Sequence, residues 1–586
     1  MLNILHTGLF VLYMYKEAIL AFFVTTLGLG VYSIKHTIRE EWDDGVKLPA
    51  ALGIGSIVLS FYAFSLVFLS HFFPFLLKPG SYAILFFALF VLIQGLWSNS
   101  IKVSRKTLLV IGLMALLASL RLSFLKYILL PPYSDSPVHY QIVFGLLHPE
   151  VSSTSKISLN SILSNYYHLG FHSLTAWLAT IADLEPAKAI PLVGQLFLVI
   201  GPLSILFLVY TLTGDKNGAF FAGVLAAIGW SMPAFAVNWG KYPALSALAA
   251  MPIVMAFFYS SLQGHVRKKT GLFLTAILLL GILLIHTRII LAILLLMACF
   301  FVANKLPVAE KLESFQSARY SILYLISLWP LQQLLTDYYS GFMIAILLAL
   351  LLIFAFREFP KLTVTIFLFT FTLWLMTFVP PAGVRYQAFD QQFLEMLLYI
   401  PLSMIGGLGL SSVLKLLPQA KVLRTLIMTM LTIFVVLNFS RVGAIYPDTC
   451  CDYFKEDDQW AFQWLQKHVG GHSLVLISAF DNDGQILGTD AGIWIYPLIG
   501  LPTNKLYFET DWASLVEREK VCRLGAENIY IYVGGRGYSF NDSSLASQDW
   551  AREVFKSGYT TIYQVPGCIK SSYNELPLYL ILPKFI

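Results

Sequence analysis

Long apolar runs separated by short polar loops dominate the chain up to about residue 440. Runs long enough to cross a bilayer, or nearly so, occupy about residues 10–34, 48–74, 81–97 and 107–130, since roughly twenty helical residues cover about 30 Å of hydrocarbon. A second series follows at about 189–211, 218–237, 243–261, 271–286, 288–303, 319–336, 341–356, 362–378, 393–414 and 421–440. Between the two, residues 131–188 break the pattern. They are polar at Ser152 to Ser158, then run through Tyr166-Tyr167-His168-Leu169-Gly170-Phe171-His172 into a moderately apolar stretch ending near Ile181. That stretch predicts a helix lying in or dipping into the membrane interface, because a full crossing would put later basic loops on the wrong side.

The loops alternate in charge. Lys35, Arg39 and Lys47 lie in one, Lys102, Arg105 and Lys106 in another, and only Lys78 in the loop between. With the interfacial helix in place, Arg267-Lys268-Lys269, Lys305 with Lys311, Arg357 with Lys361, and Lys415 with Lys421 and Arg424 fall on the side of the first two. Basic loops stay cytoplasmic, so the pattern predicts about fourteen spans with both termini outside. The fold class is an α-helical polytopic membrane protein.

Beyond Arg441 the periodicity changes. Residues 455–468 read as an amphipathic helix carrying Trp460, Phe462, Trp464 and Leu465, 473–478 as a strand, 512–524 as a helix and 528–533 as a strand. A helix near 547–556 and strands near 560–565 and 577–582 complete a small α/β domain outside the cytoplasm. The expected division is therefore 1–106, a three-helix membrane extension; 107–440, a transmembrane core with its first outer loop at 131–188; and 441–586, the α/β domain. In that domain Asp481, Asp483 and Asp490 read as exposed turn acids, with calcium as the alternative. Asn541-Asp542-Ser543 is a glycosylation sequon. Gly534-Gly535-Arg536-Gly537 lacks the spacing of a dinucleotide fingerprint.

Composition agrees with this division: 57% of the 586 residues are hydrophobic and 12% charged. The net charge of +6 belongs to the cytoplasmic loops and predicts no nucleic-acid partner. Of 5 cysteines, Cys299 lies in an apolar run, whereas Cys450, Cys451, Cys522 and Cys568 lie in the terminal region. There they admit disulfides and disfavour zinc, because no C-x-x-C pair occurs.

The candidate chemistry lies at the outer ends of the spans. Pro131-Pro132 end the fourth run and Tyr133-Ser134-Asp135-Ser136-Pro137-Val138-His139 follow, leaving an acid and a histidine at the membrane surface. Asp135 is either the cap of the next helix or a catalytic acid. Asn238-Trp239-Gly240-Lys241-Tyr242-Pro243, His286-Thr287-Arg288, Asp337, and Arg385-Tyr386 with Asp390-Gln391 fall on the same side. An acid able to deprotonate an acceptor hydroxyl, with arginine and lysine neutralising a departing phosphate, suits transfer from a phosphate-linked donor. Each residue has a structural alternative. Lys241 could snorkel, Arg288 and Arg385 could pair with Asp337 or Asp390, and His139 and His286 could bond helix ends. Asp135 with His139 is also a candidate pair for a divalent ion such as Mg or Mn, and His168 with His172 a weaker one.

These stretches resemble the GT-C superfamily of polytopic glycosyltransferases over roughly residues 107–586. The likeness rests on the Pro131 to His139 loop, the Tyr167 to His172 segment ending in Ala182-Asp183-Leu184, the Trp239 to Pro243 and His286 to Arg288 turns, Arg385 ahead of Pro401-Leu402-Ser403, Asp490 to Leu498, and Gly525 to Gly534. The resemblance implies inverting transfer of a sugar from a polyprenyl-phosphate donor to an extracytoplasmic glycan, lipid or protein. Asp135 would be base or acceptor-positioning group, and Lys241, Arg288, Arg385 and His286 would hold the donor phosphate. Many members carry two acids in the first loop, and here Asp135 stands alone. His139, Asp183, Asp337 and Asp390 are the candidates for shaping the site or supplying a second carboxylate. A lipid-linked glycan transporter or flippase and a catalytically silent scaffold are the alternatives.

Overall fold

The structure is a computed structural model. It describes residues 2–566 apart from 39–41, 99–103, 149–167, 307–334, 336, 340–341, 377, 379–388, most of 417–444, 471 and 483–484. The runs expected at 319–336 and 421–440, the strand at 577–582, Arg385, Asp483 and Cys568 lie outside the described residues. The chain divides into two compact units, one of residues 1–126, 168–237 and 241–446, the other of 127–167, 238–240 and 447–586.

In chain order the helices up to residue 416 are α1 (Leu2–Met14), α2 (Lys16–Thr37), α3 (Asp44–Phe72), α4 (Leu77–Trp97), α5 (Arg105–Leu122), α6 (Ser136–Leu147), α7 (Leu169–Ala182), α8 (Pro186–Thr213), α9 (Lys216–Ile228), α10 (Tyr242–Leu262), α11 (Lys268–Ile285), α12 (Ile289–Lys305), α13 (Phe342–Glu358), α14 (Pro360–Met376), α15 (Gln391–Leu397) and α16 (Tyr399–Leu416). All except α6 belong to the first unit. Among the described residues seven stretches are long and apolar enough to span a membrane: Lys16–Thr37, Gly45–Phe72, Pro74–Trp97, Arg105–Lys126, Pro186–Thr213, Tyr242–Leu262 and Gln391–Leu416. α8 is buried almost throughout and packs on α3, α5, α7, α9 and α10. α9 approaches α16 closely because Gly407 has no side chain; a Cβ there would lie 2.5 Å from the Ala222 amide nitrogen. α4 is apolar along its length yet exposes Phe86, Phe90, Ile93 and Trp97. A face of that kind requires a non-aqueous solvent, and the unit is a membrane domain.

Four elements depart from the sequence pattern. The run at 10–34 is divided between α1 and α2. The run at 107–130 does not continue to the prolines: α5 ends at Leu122 and a 3-10 turn covers Ser123–Lys126. There the Ser123 hydroxyl donates to the Leu120 carbonyl, and the buried Arg121 side chain to the Ala227 carbonyl. The run at 218–237 is helical only to Ile228.

The fourth is α7, shorter than a span and buried throughout residues 169–179 against α2, α3, α4, α8, α10 and α11, a burial that its moderate apolarity did not reveal. It lies across these helices. Gly170 meets Leu284 and Ile285 at the end of α11, while Tyr82 in α4 donates to the Ile181 carbonyl at 3.4 Å. On α3, α11 meets Ile57 at Gly281, and the Gly80 carbonyl of α4 accepts from Tyr62.

The basic loops gather at one end of this unit. Asp43 accepts Lys216 at 2.8 Å and Lys106 at 2.9 Å, Asp215 accepts Lys415 at 2.9 Å, and the Arg267 N–H donates to the Thr37 carbonyl at 2.8 Å. The bond from Lys216, joined by those from Lys106 and the Gly45 N–H, outweighs burial and holds the Asp43 carboxyl well below the usual range.

The second unit is built on a six-stranded sheet of β1 (Ser473–Asn482), β2 (Gln485–Gly488), β3 (Thr503–Tyr507), β4 (Asn528–Val533), β5 (Arg552–Ser557) and β6 (Thr560–Val565). The order is β2-β1-β4-β6-β5, with β3 also on β1; β3 and β4 run parallel to β1, the other pairs antiparallel. Leu474, Leu476, Ile529 and Ile531 pack with Trp512, Leu545 and Tyr563 in its core. Four further helices accompany it: α17 (Glu456–His468), α18 (Ile495–Ile499), α19 (Leu515–Cys522) and α20 (Asp542–Ala546). The helix expected at 547–556 is instead α20 followed by β5. Residues 552–557 gain a ladder partner in β6 through the Gly558 turn, where φ is +54°, and that pairing outweighs local helix preference. β2 and β3 are strands that the pattern did not reveal.

Candidate functional site

In the second unit the Asp135 loop is joined to the α/β domain. Tyr133 adopts φ +69°, a left-handed conformation that costs a bulky residue about 1–3 kcal/mol and persists only where neighbours impose it. Its N–H donates to the Cys451 carbonyl at 2.9 Å and its ring lies 6.4 Å from that of Tyr453. The Ser136 hydroxyl donates to the Pro132 carbonyl, tightening the turn. Asp135 is half-buried at the N-cap of α6, yet its carboxylate makes no capping bond. The helix start rests on backbone bonds from Val138 and His139 to the Asp135 carbonyl, each 3.1 Å.

His139 is buried, and its Nε2 donates to the Gly240 carbonyl at 3.0 Å. Gly240 has φ +65°, and a Cβ there would lie 2.8 Å from Ser136 Oγ, 3.2 Å from the Pro132 carbonyl oxygen and 3.4 Å from Asp135 Cβ. Only glycine fits this contact. Two residues earlier, Asn238 Oδ1 accepts the Asp448 N–H at 2.9 Å. His139 Nε2 thus meets a carbonyl, and no group of three His, Cys, Asp or Glu able to hold a metal occurs among the described residues.

From the α/β domain, the buried Trp494 meets Tyr140 edge to face at 5.7 Å. Asp490 is wholly buried beside the carboxyl ends of the parallel strands β1 and β4, the usual ligand edge of such sheets. It accepts the Gly492 N–H at 2.9 Å, the Gly534 N–H at 3.2 Å and the Ser539 hydroxyl at 3.2 Å. Burial pushes its carboxyl up to about 7 against the lowering effect of these bonds. It is not an exposed turn acid but the anchor of two loops, including Gly534 to Gly537. Burial, with Tyr133, Asp490 and Tyr538 nearby, also raises the Tyr453 phenol. Cys450 and Cys451 form a disulfide with each other, which excludes them as zinc ligands, and Cys522 is disulfide-bonded as well.

The remaining candidates belong to the first unit. The His168 and His286 rings lie 4.4 Å apart, His286 stacks on Phe393, and His168 Nδ1 is 3.3 Å from the Thr287 hydroxyl. Arg288 Nη1 pairs with Asp390 Oδ2 at 2.5 Å, and Asp390 also caps α15 through the Phe393 N–H at 2.8 Å. Of the partners open to Arg288, the structure selects Asp390. His172 is buried, with Nδ1 3.0 Å from the His168 carbonyl oxygen. Lys241 is half-buried at the N-cap of α10. The Asp337 backbone opens a 3-10 turn at Asp337–Tyr339. Asp183 is exposed at the far end of α7, about 20 Å from His168 along that helix.

The roles of Tyr133, Gly240 and Tyr453, and the pairing of the two adjacent cysteines with each other, were not read from the sequence. A glycine between Trp239 and Lys241 and two consecutive cysteines were the available signals.

A family model described as "Family of unknown function (DUF6541)" matches residues 96–331, less than half of the chain. The match takes in Asp135, His139, Asp183, Lys241, His286 and Arg288, and ends before Asp337, Arg385, Asp390 and the α/β domain. No curated protein matches the chain.

Proposed function

We propose that the protein is a membrane glycosyltransferase that moves a sugar from a polyprenyl-phosphate donor to an acceptor outside the cytoplasm. The observation that carries the reading is the Asp135 loop itself. A half-buried carboxylate follows a strained Tyr133 and is held by Gly240 and an α/β domain. Strain maintained by neighbours around an acid is characteristic of functional sites. In this reading Asp135 takes the proton of the acceptor hydroxyl or orients it, breaking of the sugar–phosphate bond follows, and the α/β domain binds the acceptor. The resemblance assigns the donor phosphate to Lys241, Arg288, Arg385 and His286, whose positive charge suits it.

The gathering of Lys106, Lys216, Arg267 and Lys415 at one end of the membrane unit supports a cytoplasmic assignment for that end. In this reading the chain has about fourteen spans and its α/β domain is extracytoplasmic. The ion pair of Arg288 with Asp390 favours a second reading, a catalytically silent scaffold in which that arginine is structural.

Sugar release from a mixed pool of polyprenyl-phosphate sugars, by protein in lipid with acceptors and divalent ions present, separates the two. Release by wild type that is abolished in Asp135→Asn at equal folded yield is the expected result. Equal release removes Asp135 from the mechanism, and no release from either leaves the scaffold or transporter.

A further inference from the structure

We propose that the Cys450–Cys451 disulfide is a positioning element for the Asp135 loop, so that its reduction loosens the loop and lowers turnover. The two cysteines close a ring through their own peptide bond, which removes side-chain freedom and fixes the backbone of both. The turn they end is built on Asp448, whose carboxylate accepts the Cys450 N–H at 2.9 Å and whose carbonyl accepts Cys451 at 3.1 Å and Asp452 at 3.2 Å. Two strands of evidence connect that turn to the loop. The Cys451 carbonyl receives the N–H of the strained Tyr133, and the Asp448 N–H reaches Asn238, two residues before the Gly240 whose carbonyl accepts from His139 and whose missing Cβ leaves room for Ser136 and Asp135. The contacts therefore form a closed circuit from the disulfide through Tyr133, Ser136, Gly240 and Asn238 back to Asp448, with Asp135 inside it.

Cys450 is exposed and Cys451 buried. A dithiol attacks the Cys450 sulfur, Cys451 departs as a thiolate and takes a proton, and the second thiol of the reductant then releases Cys450. Two cysteine thiols form and the dithiol is oxidised to its cyclic disulfide. With the ring open, both residues regain rotamer and backbone freedom, and the carbonyl that holds Tyr133 in its left-handed conformation is no longer fixed.

The functional half of this inference rests on the transferase reading; the structural half does not. The test is hydrogen exchange over residues 133–139 in the full-length protein in lipid, oxidised and after dithiothreitol. Exchange should rise about tenfold on reduction. A Cys450→Ser/Cys451→Ser variant should exchange fast throughout and ignore the reductant, whereas Cys522→Ser should still respond, which excludes the other disulfide as the cause. If the double variant does not fold, the wild-type comparison suffices. Reduction should also lower kcat for sugar release several-fold while KM for the donor holds, since a positioning element of the acid acts on the chemical step. Unchanged exchange on reduction, or alkylation of Cys450 and Cys451 in protein never reduced, overturns the proposal. Faster exchange without sugar release in any state supports the positioning role and counts against the transferase reading.

Discussion

The imidazole of His139 donates to the carbonyl of Gly240, 101 residues further along the chain, at 3.0 Å. With no room for a Cβ on Gly240 beside Ser136 Oγ, this bond makes the acid's position depend on the turn at residues 238–240. Gly240→Ala places a methyl group into occupied space at positive φ and should destabilise the second unit by about 1–3 kcal/mol. Differential exchange at 133–139 measures this. His139→Leu leaves the Gly240 carbonyl buried without its donor and should act in the same direction by about 1–3 kcal/mol.

Asp490 gives the α/β domain a pH dependence of definite sign. Its folded carboxyl lies near 7, above its ordinary value, because burial outweighs its hydrogen bonds. Between about pH 4 and 7 the folded state therefore binds more protons than the unfolded one, and this group's stabilisation is lost as pH rises through that window. Thermal unfolding at pH 5 and 7.5 should show wild type losing stability relative to Asp490→Asn on going to the higher pH. A parallel pair of curves would refute the assignment.

Arg288 and Asp390 provide a test of which partner acts on the donor. Both side chains are partly exposed, 30% and 41%, so a double-mutant cycle should give a coupling of about 1 kcal/mol or less. Asp390→Asn keeps the cap on α15 and should leave folded yield unchanged. Arg288→Lys loses the planar fork that suits phosphate and should lower kcat/KM for the donor about tenfold, with little effect on stability.

Topology can be read by labelling in a Cys299→Ala background. Tyr538 is 61% exposed in the α/β domain and the Lys216 side chain 60% exposed at the basic end of the membrane unit. An impermeant maleimide applied to intact cells should modify Tyr538→Cys, and Lys216→Cys only after permeabilisation. The reverse pattern would invert the assignment of both ends.

The apolar runs, the alternation of basic loops, and the change near residue 441 to strands at Ser473, Asn528 and Thr560 were legible in the chain itself. Transfer free energy and side-chain periodicity are sums over neighbouring residues, and a linear reading contains them. Non-local contacts decided the rest. Residues 552–557 become a strand only when β6 supplies a partner, and the buried Arg121 of α5 finds its acceptor in the distant Ala227 carbonyl. Asp490, polar and flanked by turn residues, looks solvent-exposed until two loops close over it. The surroundings of Asp135 were least legible, since Tyr133, Gly240 and Cys451 come from three distant parts of the chain. Their contacts exist only after folding, when the entropy of bringing those parts together has been offset by burial of the domain core.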